Sequence, residues 1–328
     1  ILVLMGTPAD VLPESIVYFR TYFAGSIGVV MYNIFVGILQ SVGDSRHPLI
    51  YLIISSCINV VLDIFFIAGL GMGVGSVALA TAISQFVSAI LCMFHLMRVE
   101  EEYRLELRMI RFDRHMLKQI IQNGVPSGFQ NSVIAIANVF VQSNINAFGK
   151  MAMAGCGSYS KVEGFAFLPV TCFTMALTTF VSQNLGARQY ERAKKGARFG
   201  IICSVIIAEL IGIIIYAAAP VLIAAFNRDP SVIHYGVMQA RIIALFYCLL
   251  AFSHCIAAVL RGSGHAAVPM VVMLCDWCLF RVSYITVAVR LISDIRVIFW
   301  AYPLTWSISS VIFLYLFLRG KWVYGFEK

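Results

Sequence analysis

The sequence predicts an all-α integral membrane protein made of two related halves. Hydrophobic residues make up 60% of the 328 residues and charged residues only 12%, which lies outside the range of soluble globular chains. Apolar stretches of about 20 residues or more recur along the chain, the length a helix needs to cross about 30 Å of hydrocarbon. A segment also repeats. Arg20–Pro48 (RTYFAGSIGVVMYNIFVGILQSVGDSRHP) aligns without a gap on Arg241–Pro269 (RIIALFYCLLAFSHCIAAVLRGSGHAAVP) at an offset of 221, matching Leu39 to Leu260 and Gly43 to Gly264. Duplication in so hydrophobic a chain is the mark of a secondary transporter with pseudo-symmetric halves.

Nine spans are expected, over residues 14–39, 48–69, 73–97, 119–148, 156–183, 199–226, 233–260, 267–290 and 296–318. The first and seventh are the repeat copies. Each ends in a glycine-bearing turn, Gly43 or Gly264, and the next helix restarts at Pro48 or Pro269, since proline fits a first helical turn. Pairs of charges or Gly/Pro clusters separate the other spans. Residues 98–118 (RVEEEYRLELRMIRFDRHMLK) mix both charge signs with apolar residues at helical spacing, so a cytoplasmic interfacial helix is expected to join the halves. Three spans precede this linker and six follow it. Shifting the second half by the repeat offset leaves about a hundred residues, three helices' worth, upstream of Ile1 in a full pair of six-helix bundles. The expected organisation is residues 1–97 as the later part of an N-terminal bundle, 98–118 as the linker and 119–328 as a whole C-terminal bundle, about nine helices of twelve.

The net charge of +8 does not point to nucleic acid. With the 39–48 turn on the cytoplasmic side and the spans alternating, inside loops hold 16 of the 24 Lys/Arg and outside loops hold four. This is the positive-inside bias of a multi-pass protein of the cell membrane, with the bilayer as its main partner, and a monomer is expected. The nine cysteines fall mostly inside spans. The Cys275/Cys278 pair has no second pair to complete a metal site, so these are read as packing residues. No metal site and no cofactor is expected. HExxH, GxSxG and paired His/Asp clusters within spans are absent, which argues against an enzyme.

Charges deep in a span cost about 2.5–3.5 kcal/mol each on an insertion scale, so they face a cavity or a partner. Glu163, Lys161, Glu209, Asp276, Arg281 and Asp63 are the candidates, with the repeat-related Arg20 and Arg241 nearer the outer edge. At about 100° per residue, Lys161 and Glu163 point about 200° apart, so each needs its own partner. Glu163 sits beside Gly164, where another backbone has room to approach. Burial disfavours its charge and a nearby cation favours it, a balance suited to a proton carrier. Lys161 lies near a helix start, so snorkelling to the interface competes with a cavity role. On a regular helix Asp276 and Arg281 lie about 140° apart and do not pair. Along the fourth span Asn131, Asn138, Gln142 and Asn146 fall within about 80° of one another, with Gln130 at the edge. Such a stripe lines a wet cavity or binds neighbouring helices. Asn33 and His254 are repeat-equivalent polar positions, and His254 is able to titrate near neutral pH. Gln183 and Asn184 lead into a basic loop suited to anionic lipid headgroups.

The ordered set GILQSVGDSRHPLI, NVVLD with GMGVGSVALATAISQ, SKVEGFAFLP, FVSQNLGARQYERAKKGAR and VLRGSGHAAVP covers nearly the whole chain. It resembles the multidrug and toxic compound extrusion (MATE) family, closest in type to the DinF-like and clostridial members. The resemblance implies two six-helix bundles around a central cavity and export of amphipathic or cationic organic solutes in exchange for inward H⁺ or Na⁺. In sodium-linked relatives an acid precedes the second LRG by about ten residues and a glutamate follows the proline of the seventh helix; here Leu250 and Ile134 stand in those places. A flippase for lipid-linked sugars in the same superfamily is the alternative, and only Arg241 and Arg281 would suit its anionic cargo.

Overall fold

In the computed structural model, which describes residues 12–319 and 321–324, every regular element is helical. The chain divides into two compact units, Ile1–Phe112 and Asp113–Lys328.

In the first unit, α1 (Leu12–Ala24) and α2 (Ser26–Ser41) form one bent span, with a 41° break at Gly25. The break has a packing cause. A side chain at Gly25 would collide with Ala82, and one at Gly28 would press on Phe86, so α4 (Gly75–Arg98) seats directly against this backbone. The buried face of α4 is built of small residues, Ser76, Ala78, Ala80, Ser84, Ser88 and Ala89, which let membrane helices approach closely. The third helix, α3 (Arg46–Ile64), widens into a π turn over Phe65–Gly69 and is tied to α4 by the Ser55 hydroxyl donating to the Ser84 carbonyl, 2.6 Å.

The expected linker helix over 98–118 does not form. Helix α4 stops at Arg98, and only a short 3₁₀ turn, Leu107–Met109, interrupts an irregular path to Asp113. The Leu105 amide donates to the Leu96 carbonyl, 2.9 Å, and Tyr103 and Leu105 pack on Phe35, Leu39, Cys92 and Leu96. Tyr103 and Leu105 therefore cover the end of their own unit, while Leu107, Met109, Ile110 and Phe112 stay exposed. Asp113 then caps the next helix, accepting from the amides of His115 and Met116. Those two bonds hold its carboxyl below the usual range.

The second unit contains α5 (Arg114–Asn146), α6 (Lys150–Gly186), α7 (Tyr190–Ala224), α8 (Pro230–Ile243), α9 (Tyr247–Gly262), α10 (Ala267–Met273), α11 (Arg281–Leu291) and α12 (Arg296–Leu318). A 3₁₀ turn, Ala244–Phe246, joins α8 to α9, and a π-helical stretch, Leu274–Phe280, joins α10 to α11. Seven helices among the described residues are long and apolar enough to cross a membrane, or eight with the bent α1–α2 pair. The fourth expected span, 119–148, is helical but is not among them. Its polar stripe, together with Lys118, Gln119, Gln122 and Asn123, dilutes its apolar content. The basic segment expected as a loop is largely helix. Only residues 187–189 lie outside helices, and Arg192, Lys194, Lys195 and Arg198 sit on the first turns of α7.

The repeat is reproduced bond for bond in its turns. Gly43 has φ +88° and Gly264 φ +80°. In the first copy the Asp44 amide donates to Leu39, and in the second the His265 amide donates to Leu260, both at 2.9 Å. Positive φ explains why glycine stands at both turns. Gly264→Ala is expected to lower stability by about 1–2 kcal/mol, the left-handed penalty of an L-residue, read as an earlier thermal unfolding transition.

Helix α6 packs against α7, α8 and α9. A close approach to α8 is at Gly155, where an added Cβ would lie 2.6 Å from the Val232 carbonyl oxygen and 2.8 Å from the Tyr235 Cβ. Since the obstacles are backbone and a Cβ, they have little freedom to yield. Gly155→Leu is expected to cost about 1–3 kcal/mol or more by overpacking, measured as lost folded yield in detergent. Gly164, expected to allow a close approach, faces open space: a Cβ added there would meet nothing within 4 Å. The close contact of α6 falls more than two turns away from it.

Candidate functional site

Helices α6, α9 and α12 and the π stretch bring a set of ionisable and aromatic groups into the interior of the second unit. Glu163 lies one turn after Tyr159 on α6, and the Tyr159 hydroxyl donates to its Oε1 at 3.5 Å. The Tyr159 and Tyr247 hydroxyls are 2.9 Å apart. Arg281, 1% exposed, donates from Nη2 to the Thr305 hydroxyl at 2.7 Å. Its guanidinium lies 4.7 Å from the Trp277 ring centre and 4.6 Å from that of Tyr302, a cation–π sandwich.

Arg281 is within Coulombic reach of both Glu163 and Asp276. As the 140° separation leads one to expect, the two do not pair directly: both Asp276 oxygens and Arg281 Nε lack a hydrogen-bond partner. Asp276 sits in the π-helical stretch, where the chain closes i to i+5 and brings residues five apart onto one side. Asp276 is 3% exposed, and neither of its oxygens meets a hydrogen-bond donor. Ser309 lies beside it but donates to the Thr305 carbonyl, 2.8 Å. His254 packs edge-on to Trp277 at 5.4 Å and Phe167 at 6.3 Å, with Nε2 buried and unpartnered. Trp277 Nε1, Trp306 Nε1 and Arg281 Nε are in the same condition. Buried groups with unmet hydrogen-bonding capacity are costly. Their concentration around two acids and a cation singles this cluster out as the candidate site.

The remaining predicted residues lie elsewhere. Lys161 is exposed, with Nζ over the Phe226 ring at 5.3 Å, apart from Glu163. That placement is a snorkelling one. Glu209 accepts from the Cys248 amide at 3.2 Å. It thereby satisfies a free donor of α9, created where the 3₁₀ turn breaks the α8–α9 span. Gln130 is buried and donates to Met273 Sδ. Asn131, Asn138, Gln142 and Asn146 are all exposed on the unit's surface, with Gln142 donating to Asn146 at 2.8 Å. In the first unit Asn33 is exposed and bonds its own helix at Val29, while Asp63 is half-buried with an unpartnered Oδ1. Cys275 and Cys278 are free thiols.

Tyr159, Tyr247, Tyr302, Thr305, Trp277 and Trp306 were not legible as site residues. Only Tyr159 carried a signal, its i−4 spacing from Glu163 on one helix face. The others come from helices whose facing is set by packing.

A helical membrane protein with transporter-type repeats and a buried acid–arginine–aromatic cluster defines a class, the multi-pass membrane transporters. The MatE family profile matches residues 1–65 and 126–286, more than half of the chain, and the chain belongs to that family. It is 27% identical over 281 residues to the probable multidrug resistance protein YoeA of Bacillus subtilis, covering 84% of this chain and 61% of that protein. It is 28% identical over 314 residues to the probable multidrug resistance protein NorM of Thermotoga maritima, covering 93% and 67%. A Shewanella oneidensis FAD transporter is 24% identical over 323 residues, covering 96% and 71%. The chain thus spans about three fifths to two thirds of the length of the first two relatives. Among solved structures, MATE in the bent conformation superposes with a TM-score of 0.90 at 23% identity, over 97% of this chain and 71% of that one. A MOP superfamily transporter from Pyrococcus furiosus gives 0.90 at 22%, over 98% and 72%. At these identities the structural likeness concerns the fold.

Proposed function

We propose that the complete protein is a secondary antiporter of the cell membrane that exports amphipathic, often cationic, organic solutes in exchange for H⁺. The observation that carries the reading is the set of half-buried Glu163 and buried Asp276 and Arg281 inside a bundle of membrane helices. A carboxylate beside a cation, away from bulk water, is poised between its charged and neutral forms. A site that holds either a proton or a cationic solute couples the two fluxes by competition. The multidrug names of the relatives support the substrate class. Leu250 and Ile134, where sodium-linked relatives carry acids, favour H⁺ over Na⁺. The fully buried Arg281 also suits an anionic group, and one relative is named an FAD transporter, so a flavin dinucleotide belongs in the assay.

The test is efflux of a fluorescent organic cation from liposomes containing the complete gene product, under a pH gradient and then a Na⁺ gradient. Efflux driven by pH supports the reading. Efflux driven by Na⁺ alone overturns the ion assignment. Movement of the flavin or of a lipid-linked sugar, with no cation movement under either gradient, overturns the substrate class.

A further inference from the structure

The sequence predicts no metal ligands, yet the first unit brings Asp44, His47 and His95 together, their ligand atoms all within 4.8 Å of one another. We propose that this triad is a binding site for a divalent transition metal of the Zn²⁺ type.

Three elements converge on it. Asp44 stands in the turn after Gly43, His47 in the first turn of α3, and His95 in the last turn of α4. The Asp44 carboxylate is already oriented. Its Oδ1 accepts from the amides of Arg46, 3.1 Å, and His47, 3.2 Å, leaving Oδ2 to face the two imidazoles. Backbone bonds that fix the outer oxygen of a ligating carboxylate are the usual outer-shell support of a metal site. From Oδ2 to His95 Nε2 is 3.6 Å. Bonds of about 2.0–2.1 Å in a tetrahedral site place neighbouring ligand atoms about 3.3 Å apart, so this pair is near its metal-bound separation. From Oδ2 to His47 Nδ1 is 2.6 Å, a hydrogen bond. A metal replacing that shared proton needs the pair to open by about 0.7 Å. The two imidazole rings lie with centres 4.0 Å apart and planes at 30°, and Tyr51 closes one side at 6.0 Å from His95.

The donor set decides the ion. Two imidazoles and one carboxylate suit Zn²⁺ and its first-row neighbours, whereas Mg²⁺ and Ca²⁺ call for oxygen ligands. The side chains are 44%, 20% and 19% exposed for His47, Asp44 and His95, so a fourth position is open to water and the ion is exchangeable. Bound metal would tie the α2–α3 turn to the end of α4. The second repeat copy lacks the triad, with His265, Val268 and Leu316 at the matching positions, so the site belongs to the first half alone.

The experiment is a Zn²⁺ titration of the complete, chelator-stripped protein in detergent against a chromophoric competitor, with Co²⁺ absorption as a second readout. His95→Gln is the deciding variant, because it leaves both backbone bonds to Asp44 intact. One site per chain is expected, weakened at least tenfold by His95→Gln. Absence of stoichiometric Zn²⁺ binding in the wild type overturns the proposal, as does equal affinity in the variant. Those outcomes would leave a proton-shared Asp–His–His cluster only. Should the variant fold poorly, X-ray absorption of the Zn²⁺-loaded wild type decides: two imidazoles in the ligand shell support the site, and none overturns it.

Discussion

Proton-driven efflux is expected to fall about 5- to 150-fold when Glu163 is replaced by Gln in the complete transporter. Glutamine keeps the size and the ability to accept from Tyr159, whose hydroxyl lies 3.5 Å from Oε1, but it is permanently neutral. A carrier that cannot release its proton loses the alternation between proton and solute. Coupling free energies of this kind are about 1–3 kcal/mol, or about 5- to 150-fold in affinity, so a drop in driven flux within that range is the expected result. Glu163→Asp, which keeps the charge on a shorter stem, is expected to retain part of the flux. Liposome efflux under an imposed pH gradient measures both. Asp276 shares Arg281 with Glu163, so Asp276→Asn is the natural second variant. Driven efflux unchanged in the double variant would remove these carboxylates from the mechanism.

Replacing Arg281 by Ala is expected to destabilise the second unit by about 3–5 kcal/mol, the cost of removing one member of a buried charge group. Three losses combine. The guanidinium leaves two aromatic faces at 4.7 and 4.6 Å, its bond to Thr305 disappears, and a fully buried side chain is replaced by a cavity. At about 2–4 °C per kcal/mol for a unit of this size, the thermal transition should drop by about 10 °C. Arg281→Met separates the contributions, since it restores volume without charge. Arg281→Lys keeps the charge but not the flat stacking surface. A transition unmoved in all three would show that the sandwich contributes nothing to stability.

The elements differ in how much of them was legible beforehand. The repeat turns were, because Gly43 and Gly264 answer a local backbone demand for positive φ. The fate of residues 98–113 was not. The apolar residues of 98–118 read as an interfacial helix, but nothing in their spacing reveals that Leu96 offers Tyr103 and Leu105 a protein surface to cover. Asp276 and Arg281 do not pair directly, as a regular helix predicts, but that Arg281 lies within Coulombic reach of both Asp276 and Glu163 was not legible, and the π stretch that holds Asp276 has no sequence signature here. His47 and His95 are 48 positions apart, so no motif spacing joins them.

What the sequence by itself determined is the membrane class, the order and approximate ends of the helices, the duplication, and which residues are too polar to face lipid. These follow from hydropathy and from single-residue backbone preferences, both of which are local. Only the tertiary structure decided which of those polar residues meet. It joined Glu163, Asp276 and Arg281 and added the tyrosines to them. It left Lys161 on the surface, turned Glu209 into a cap for a broken helix, and assembled Asp44, His47 and His95. Each of these outcomes depends on the rotation and register of one helix against its neighbours. That is set by close packing at points such as Gly155 and Gly25, between residues far apart in the chain.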